Sequence, residues 1–129
     1  MNARGIRGAI TVKKNGRDEI IMATMSLLER MVSVNKIKIE EISMALFSVT
    51  KDLNAEFPAV AARKLGWLYV PLLCTNEINV PRSLKKCIRV LLLINTEKKQ
   101  KQLKHIYLKG ARVLRPDIGS KEKGLYYLS

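Results

Sequence analysis

Two arginines stand where a strand would ordinarily carry apolar side chains. Arg89 lies between Ile88 and Val90, and strand alternation puts it on one face with Leu91 and Leu93. Arg7 lies between Ile6 and Gly8, where the nearby glycines permit close approach of another backbone or a ligand. Burying a cation without a partner costs several kcal/mol, so either these strands open to solvent or an anion is supplied by the protein or by a ligand. The chemistry within reach is the binding and stabilisation of negative charge by fixed donors. The structural alternative for each is a strand-end or surface arginine, or one held in a salt bridge.

The elements that must position these residues follow from periodicity. Ile6, Gly8, Ile10 and Val12 alternate with Arg7, Ala9 and Thr11, which predicts a first strand over 6–12. Asn15-Gly16 marks a turn, after which Ile20, Ile21, Met25, Leu28, Met31 and Val32 recur at helical spacing up to about Asn35. A second strand is expected over 42–50. Pro58 suits the first turn of a short helix through Leu65, and Gly66 suits its exit. Further strands are predicted over 69–78, with Pro71 favouring an edge or irregular start, over 88–96, and over 105–114. The order β, α, β, α, β, β, β predicts an α+β fold, a mixed sheet with helices packed on one face.

With 129 residues, 47% of them hydrophobic and 27% charged, the chain fits one globular domain rather than a disordered segment. Its longest apolar run, Val90 to Ile94, is too short to span a bilayer, and no signal-peptide pattern opens the sequence, so a cytoplasmic location and no membrane partner are expected. Cys74 and Cys87 are too few for a disulfide framework and, with the single His105, too few for a Cys/His zinc site. Both are expected as reduced thiols, and no metal is expected. Dinucleotide and phosphate loops, the GxSxG elbow and the HExxH helix are all missing. A catalytic triad would have to use His105, and no context singles out a serine for it.

The net charge of +13 attracts anions of any kind. Its densest stretch, Lys98, Lys99, Lys101 and Lys104, lacks the aromatic interleaving that stacks bases and reads first as a solvated basic face. A basic nucleic-acid-binding α/β module is the alternative that this charge supports.

Larger motifs then fall into register: Arg4-Gly5-Ile6-Arg7-Gly8-Ala9, Phe57-Pro58-Ala59, Gly66-Trp67, Cys74, Glu77, Cys87-Ile88-Arg89-Val90, His105-Ile106-Tyr107-Leu108 and Leu114-Arg115-Pro116-Asp117. The pattern resembles the trimeric chorismate mutases over about residues 4–118. That resemblance implies a domain over 1–118 with a flexible tail over 119–129. It also implies a ferredoxin-like, chorismate mutase-like subunit assembling as a pseudo-α/β-barrel homotrimer, with active sites between subunits. The implied activity is the isomerisation of chorismate to prephenate by an intramolecular [3,3] rearrangement, a step toward phenylalanine and tyrosine, with no cofactor. Nucleic acid is then not an expected partner.

The resemblance also assigns roles. Arg89 matches the cation at the breaking ether oxygen, Arg7 one that holds a substrate carboxylate, and Glu77 the carboxylate that accepts from the substrate hydroxyl. Tyr107 and the loop Leu73, Cys74, Thr75, Asn76 match further contacts. Phe57, Ala59 and Arg63 match residues contributed by the neighbouring subunit, and Leu114 and Arg115 a C-terminal element closing over the site. Each has an ordinary alternative: a solvated loop carboxylate for Glu77, an amphipathic strand residue for Tyr107, a small core filler for Cys74, a helix-face charge for Arg63. The chain departs from the family pattern at Val60, where Lys or Arg is common, and in a turn before Gly66-Trp67 that is one residue shorter than in some relatives. A family member that binds chorismate without turning it over is a further alternative.

Overall fold

The structure, a computed structural model, describes residues 1–114. Its strands are β1 (Asn2–Thr11), β2 (Ile42–Val49), β3 (Leu72–Asn76), β4 (Cys87–Thr96) and β5 (Ile106–Leu108), with helices α1 (Arg17–Asn35) and α2 (Ala59–Lys64). Short 3₁₀ segments occupy Ile39–Glu41, Gln100–Gln102 and Lys109–Leu114. The strands form one mixed sheet in the order β3-β2-β4-β1-β5. β4 is antiparallel to both neighbours, while β3 runs parallel to β2 and β5 parallel to β1.

The helices cover one face. Ile88, Val90, Leu92 and Ile94 of β4 all point into this layer and are buried, as are Ile6 and Ile10 of β1 and Ala45, Phe47 and Val49 of β2. From α1, Ile20, Leu27, Leu28 and Met31 meet them at the spacing of one helical face. Each fully buried Ile, Leu, Met or Phe among them stabilises the fold by about 1.5–3 kcal/mol relative to exposure. Asp18 and Glu19 lie in the first turn of α1, where carboxylates favour the positive end of the helix. Asn35 ties its other end to the rest of the chain. The buried Asn35 amide donates to the Lys104 carbonyl at 2.9 Å and accepts from the Lys104 N–H at 2.8 Å.

Several boundaries differ from those predicted. β1 starts at Asn2 rather than Ile6, because the long partner β4 continues the ladder as far as Thr96. The stretch from Tyr69 is not yet strand; β3 begins only after Pro71 and is an edge strand, as proline there favours. Residues 73–76, a loop by the family resemblance, belong to β3 and fall within the strand predicted over 69–78. The predicted strand over 105–114 is strand only for Ile106–Leu108, since Lys109 takes a left-handed φ of 55° and a 3₁₀ segment follows. Gly8 admits the helix, since a Cβ there would run into the Met31 sulfur. Arg115, the end of the expected domain at 118 and the tail over 119–129 lie outside the described residues.

Candidate active site

Among the described residues neither α-helix covers the second face of the sheet, although Ala111 of the 3₁₀ segment Lys109–Leu114 packs at one end against Ala9, Cys87 and Tyr107, and the middle of the face falls into three rungs read straight across the strands. The first runs Tyr107, Ala9, Arg89, Ser48, Thr75 from β5 to β3. Next to it runs Arg7, Leu91, Leu46, Leu73, and beyond that Gly5, Leu93, Met44. One end of the open face is therefore polar and the other apolar. At the polar end a cleft of about 320 Å³ is lined by Arg7, Ser48, Glu77, Arg89, Tyr107 and Leu114, among others.

Arg89 sits at the middle of this cleft because β4 is the central strand. Its counter-ion comes from the end of β3, where the Glu77 N–H bonds the Val49 carbonyl at 2.8 Å and so continues the ladder one residue further. The Glu77 carboxylate is then held at both oxygens. Oε1 accepts from the Ile78 N–H at 2.9 Å, and Oε2 lies 3.2 Å from Arg89 Nε. That approach is an ion pair out of line for hydrogen bonding, since Arg89 Nε is shut off from solvent and makes no hydrogen bond among the described residues. With side chains 38% and 28% exposed, the pair orients the guanidinium more than it stabilises the fold. Tyr107 is buried, and its hydroxyl likewise lacks a partner among the described residues. A buried donor left unmade costs about 1–3 kcal/mol, so two in one cleft point to a ligand that supplies acceptors.

Cys87 precedes Arg89 by two residues on the same side of β4. Burial pushes its thiol up to about 11, against the smaller opposing pull of the Arg89 guanidinium. It stays neutral at working pH and places no competing anion beside Arg89. Arg7 is exposed, and its backbone N–H donates to His105 Nδ1 at 3.0 Å, which fixes this part of β1 beside the approach to β5.

The other residues expected in the site stand apart from this cleft. Phe57, Cys74, Thr75 and Asn76 line a second cleft of about 330 Å³ at the β3 edge. Ala59 is buried and Arg63 exposed, both on α2. They lie beside Cys74, whose thiol is raised by burial and lowered to a lesser degree by the Ala59 backbone and the Arg63 charge. Leu73 is exposed on β3. Thr75 ends the polar rung and lines this second cleft. Ser48 was not expected in the site. Only the pairing of β2 with β4 could have revealed it, because a single hydroxyl in an apolar strand carries no pattern of its own.

A mixed sheet that carries a cation and a buried hydroxyl on one rung, with a carboxylate from just beyond β3 paired to the cation, defines a small α+β protein whose open-face cleft is suited to an anionic ligand. The family model for chorismate mutase type I matches residues 3–118. The chorismate mutase AroH of Bacillus subtilis is 47% identical over 119 residues, 92% of this chain and 94% of that one. The AroH of Thermus thermophilus is 48% identical over 118 residues, 91% of this chain and 97% of that one. Among solved structures, a chorismate mutase from Clostridium thermocellum superposes with a TM-score of 0.84 at 51% identity, covering 84% of this chain and 97% of that one. The chain belongs to the type I chorismate mutase family. Among the described residues, no helix is long and apolar enough to cross a membrane.

Proposed function

We propose that the protein converts chorismate to prephenate by an intramolecular [3,3] rearrangement, acting as a homotrimer whose sites lie between subunits. The observation that carries this reading is the cleft shared by Arg7, Glu77, Arg89 and Tyr107, in which the buried Tyr107 hydroxyl and Arg89 Nε make no hydrogen bond among the described residues. Bonds break and form within one molecule, so the protein has no covalent step to perform. Its task is to hold the compact reactive conformer and to stabilise the charge that develops on the ether oxygen. Arg89 supplies that stabilisation and also meets a carboxylate. Arg7 holds substrate carboxylate, Glu77 accepts from the substrate hydroxyl, and Tyr107 donates from the wall of the cleft. Because Glu77 already pairs with Arg89, the guanidinium is oriented before substrate arrives, and less reorganisation is needed in the transition state.

The trimer rests on two observations. Leu91, Leu93, Leu46 and Met44 form an apolar surface on the open face, and a sheet face of this kind is normally buried against another layer. Phe57 and Leu73 are 67% and 63% exposed at the edge of the same molecule. A neighbouring copy covers that surface and brings its second cleft, with Phe57, Ala59, Arg63 and the Leu73 to Asn76 strand, against the Arg89 cleft. Arg115, the residue after Leu114 in the sequence, is assigned to closing the site on the family resemblance alone. A cytoplasmic location belongs to the same reading, as for a step toward phenylalanine and tyrosine.

The direct test is to mix purified protein with chorismate and follow its ultraviolet absorbance. Consumption with formation of prephenate, without added metal or cofactor, is expected. Turnover no faster than the uncatalysed rearrangement would overturn the assignment.

A further inference from the structure

We propose that Ser48 is a substrate-contacting residue, its hydroxyl donating to an anionic oxygen of the ligand held by Arg89. The inference deepens the proposed function and rests on it. Ser48 is the direct cross-strand partner of Arg89, and directly opposed residues of an antiparallel pair have Cα atoms only about 4.5–5.5 Å apart. Its side chain falls on the open face, on the same rung as Arg89 and Tyr107, and it lines the same cleft as Glu77.

The composition of β2 singles this position out. On the open face of that strand Met44 and Leu46 are apolar, and Ser48 alone of the three is polar, at the point where the face turns from hydrophobic to anion-binding. Its hydroxyl makes no hydrogen bond to a described residue, although Ser43 and Thr50, near the two ends of the strand, each bond a side chain or backbone partner. A half-buried hydroxyl beside a guanidinium supplies one O–H donor and two acceptor lone pairs. Arg89 occupies one side of the ligand's charge, and Ser48 reaches it from the adjacent strand. The arrangement adds directionality to a contact that a guanidinium alone would leave free to rotate.

The test compares wild type, Ser48→Ala and Ser48→Thr in steady-state turnover of chorismate, with circular dichroism to show that each variant folds. Calorimetric titration with prephenate gives binding without chemistry. Wild-type turnover decides the functional reading by itself, and the variants decide the role of Ser48. The expected result is a rise of about tenfold or more in KM and in the prephenate Kd for Ser48→Ala, the scale of a lost hydrogen bond to a charged acceptor, with kcat changed far less. Ser48→Thr, which keeps the hydroxyl, restores most of the loss. An active wild type with Ser48→Ala unchanged in both measures would overturn the proposal. So would equal damage in Ala and Thr, which would assign the position to shape rather than hydrogen bonding. If wild type neither turns over chorismate nor binds prephenate, the functional reading falls and the role of Ser48 falls with it.

Discussion

The two faces of β4 follow the same alternation and end in different environments. On the helix side, Ile88, Val90, Leu92 and Ile94 are buried by elements of the same chain. On the open side, Cys87, Arg89, Leu91, Leu93 and Asn95 grade from buried thiol through ion-paired cation to half-covered and exposed groups. The first face is complete within one subunit. The second is complete only if something else covers it, and its polar end holds Arg89 Nε and the Tyr107 hydroxyl, which make no hydrogen bond among the described residues. Folding and function are thereby divided between alternate residues of a single strand.

Substitutions on either face separate these roles. Leu92→Ala removes a fully buried side chain from the closed face and should lower the unfolding free energy by about 2–5 kcal/mol in denaturant titration. Leu93→Asp, one residue along, should leave the circular dichroism spectrum intact while light scattering reports a smaller assembly. Unfolding by Leu93→Asp at concentrations where wild type is folded would show that the two faces are not independent.

Arg89→Ala should lower kcat by about 2.7–4 kcal/mol of transition-state stabilisation with little change in melting temperature, because the side chain is partly exposed and its ion pair weak. A folded variant with near-normal kcat would remove Arg89 from the chemistry. Cys87 sharpens the boundary between the two regions. Its folded value of about 11 lies above the ordinary 9.0, so the native state holds the proton more tightly. The associated stability is fully present below pH 9 and is lost as pH rises through 11, by about 2–3 kcal/mol. Melting curves from pH 8 to 11 should therefore fall less steeply for Cys87→Ala than for wild type; parallel slopes would contradict the assigned burial.

The smallest effect is expected at Val60. A lysine there would supply the cation that the family resemblance leads one to expect, and Val60→Lys should lower KM by about two- to fivefold, on the scale of a partly exposed charge contact. An unchanged KM would mean that the surrounding positive charge already supplies what Val60 lacks.

Much of this architecture was legible in the sequence. Alternation through Ile88 to Ile94 marked β4 and put Arg89 on a face with Leu91 and Leu93, and the spacing of Ile20, Leu28 and Met31 marked α1. The overlong strand over 105–114 has a physical cause. Leu108, Ala111 and Leu114 recur every three residues, a period that suits the eclipsed side chains of a 3₁₀ segment and is easily mistaken for strand in so short a stretch. Ser48 and the placement of Cys74, Thr75 and Asn76 beside Phe57 rather than beside Arg89 were not legible. Both depend on which strands pair, and sequence spacing along one strand says nothing about the residue opposite. Gly8 shows the same limit, since its lack of a side chain could serve a ligand or a helix equally well until Met31 is seen above it.

If the Arg89 cleft of one subunit is completed by the Arg63 side of another, two inactive variants should complement each other within one assembly. Arg89→Ala and Arg63→Ala proteins, each with little activity on its own, are unfolded together, refolded as a mixture and assayed with chorismate. Random assembly of a cyclic trimer leaves about a quarter of the sites with both arginines intact, so roughly a quarter of wild-type activity should return. Activity no higher than that of the two variants refolded separately, in a mixture shown to contain hybrid trimers, would contradict a site shared between subunits.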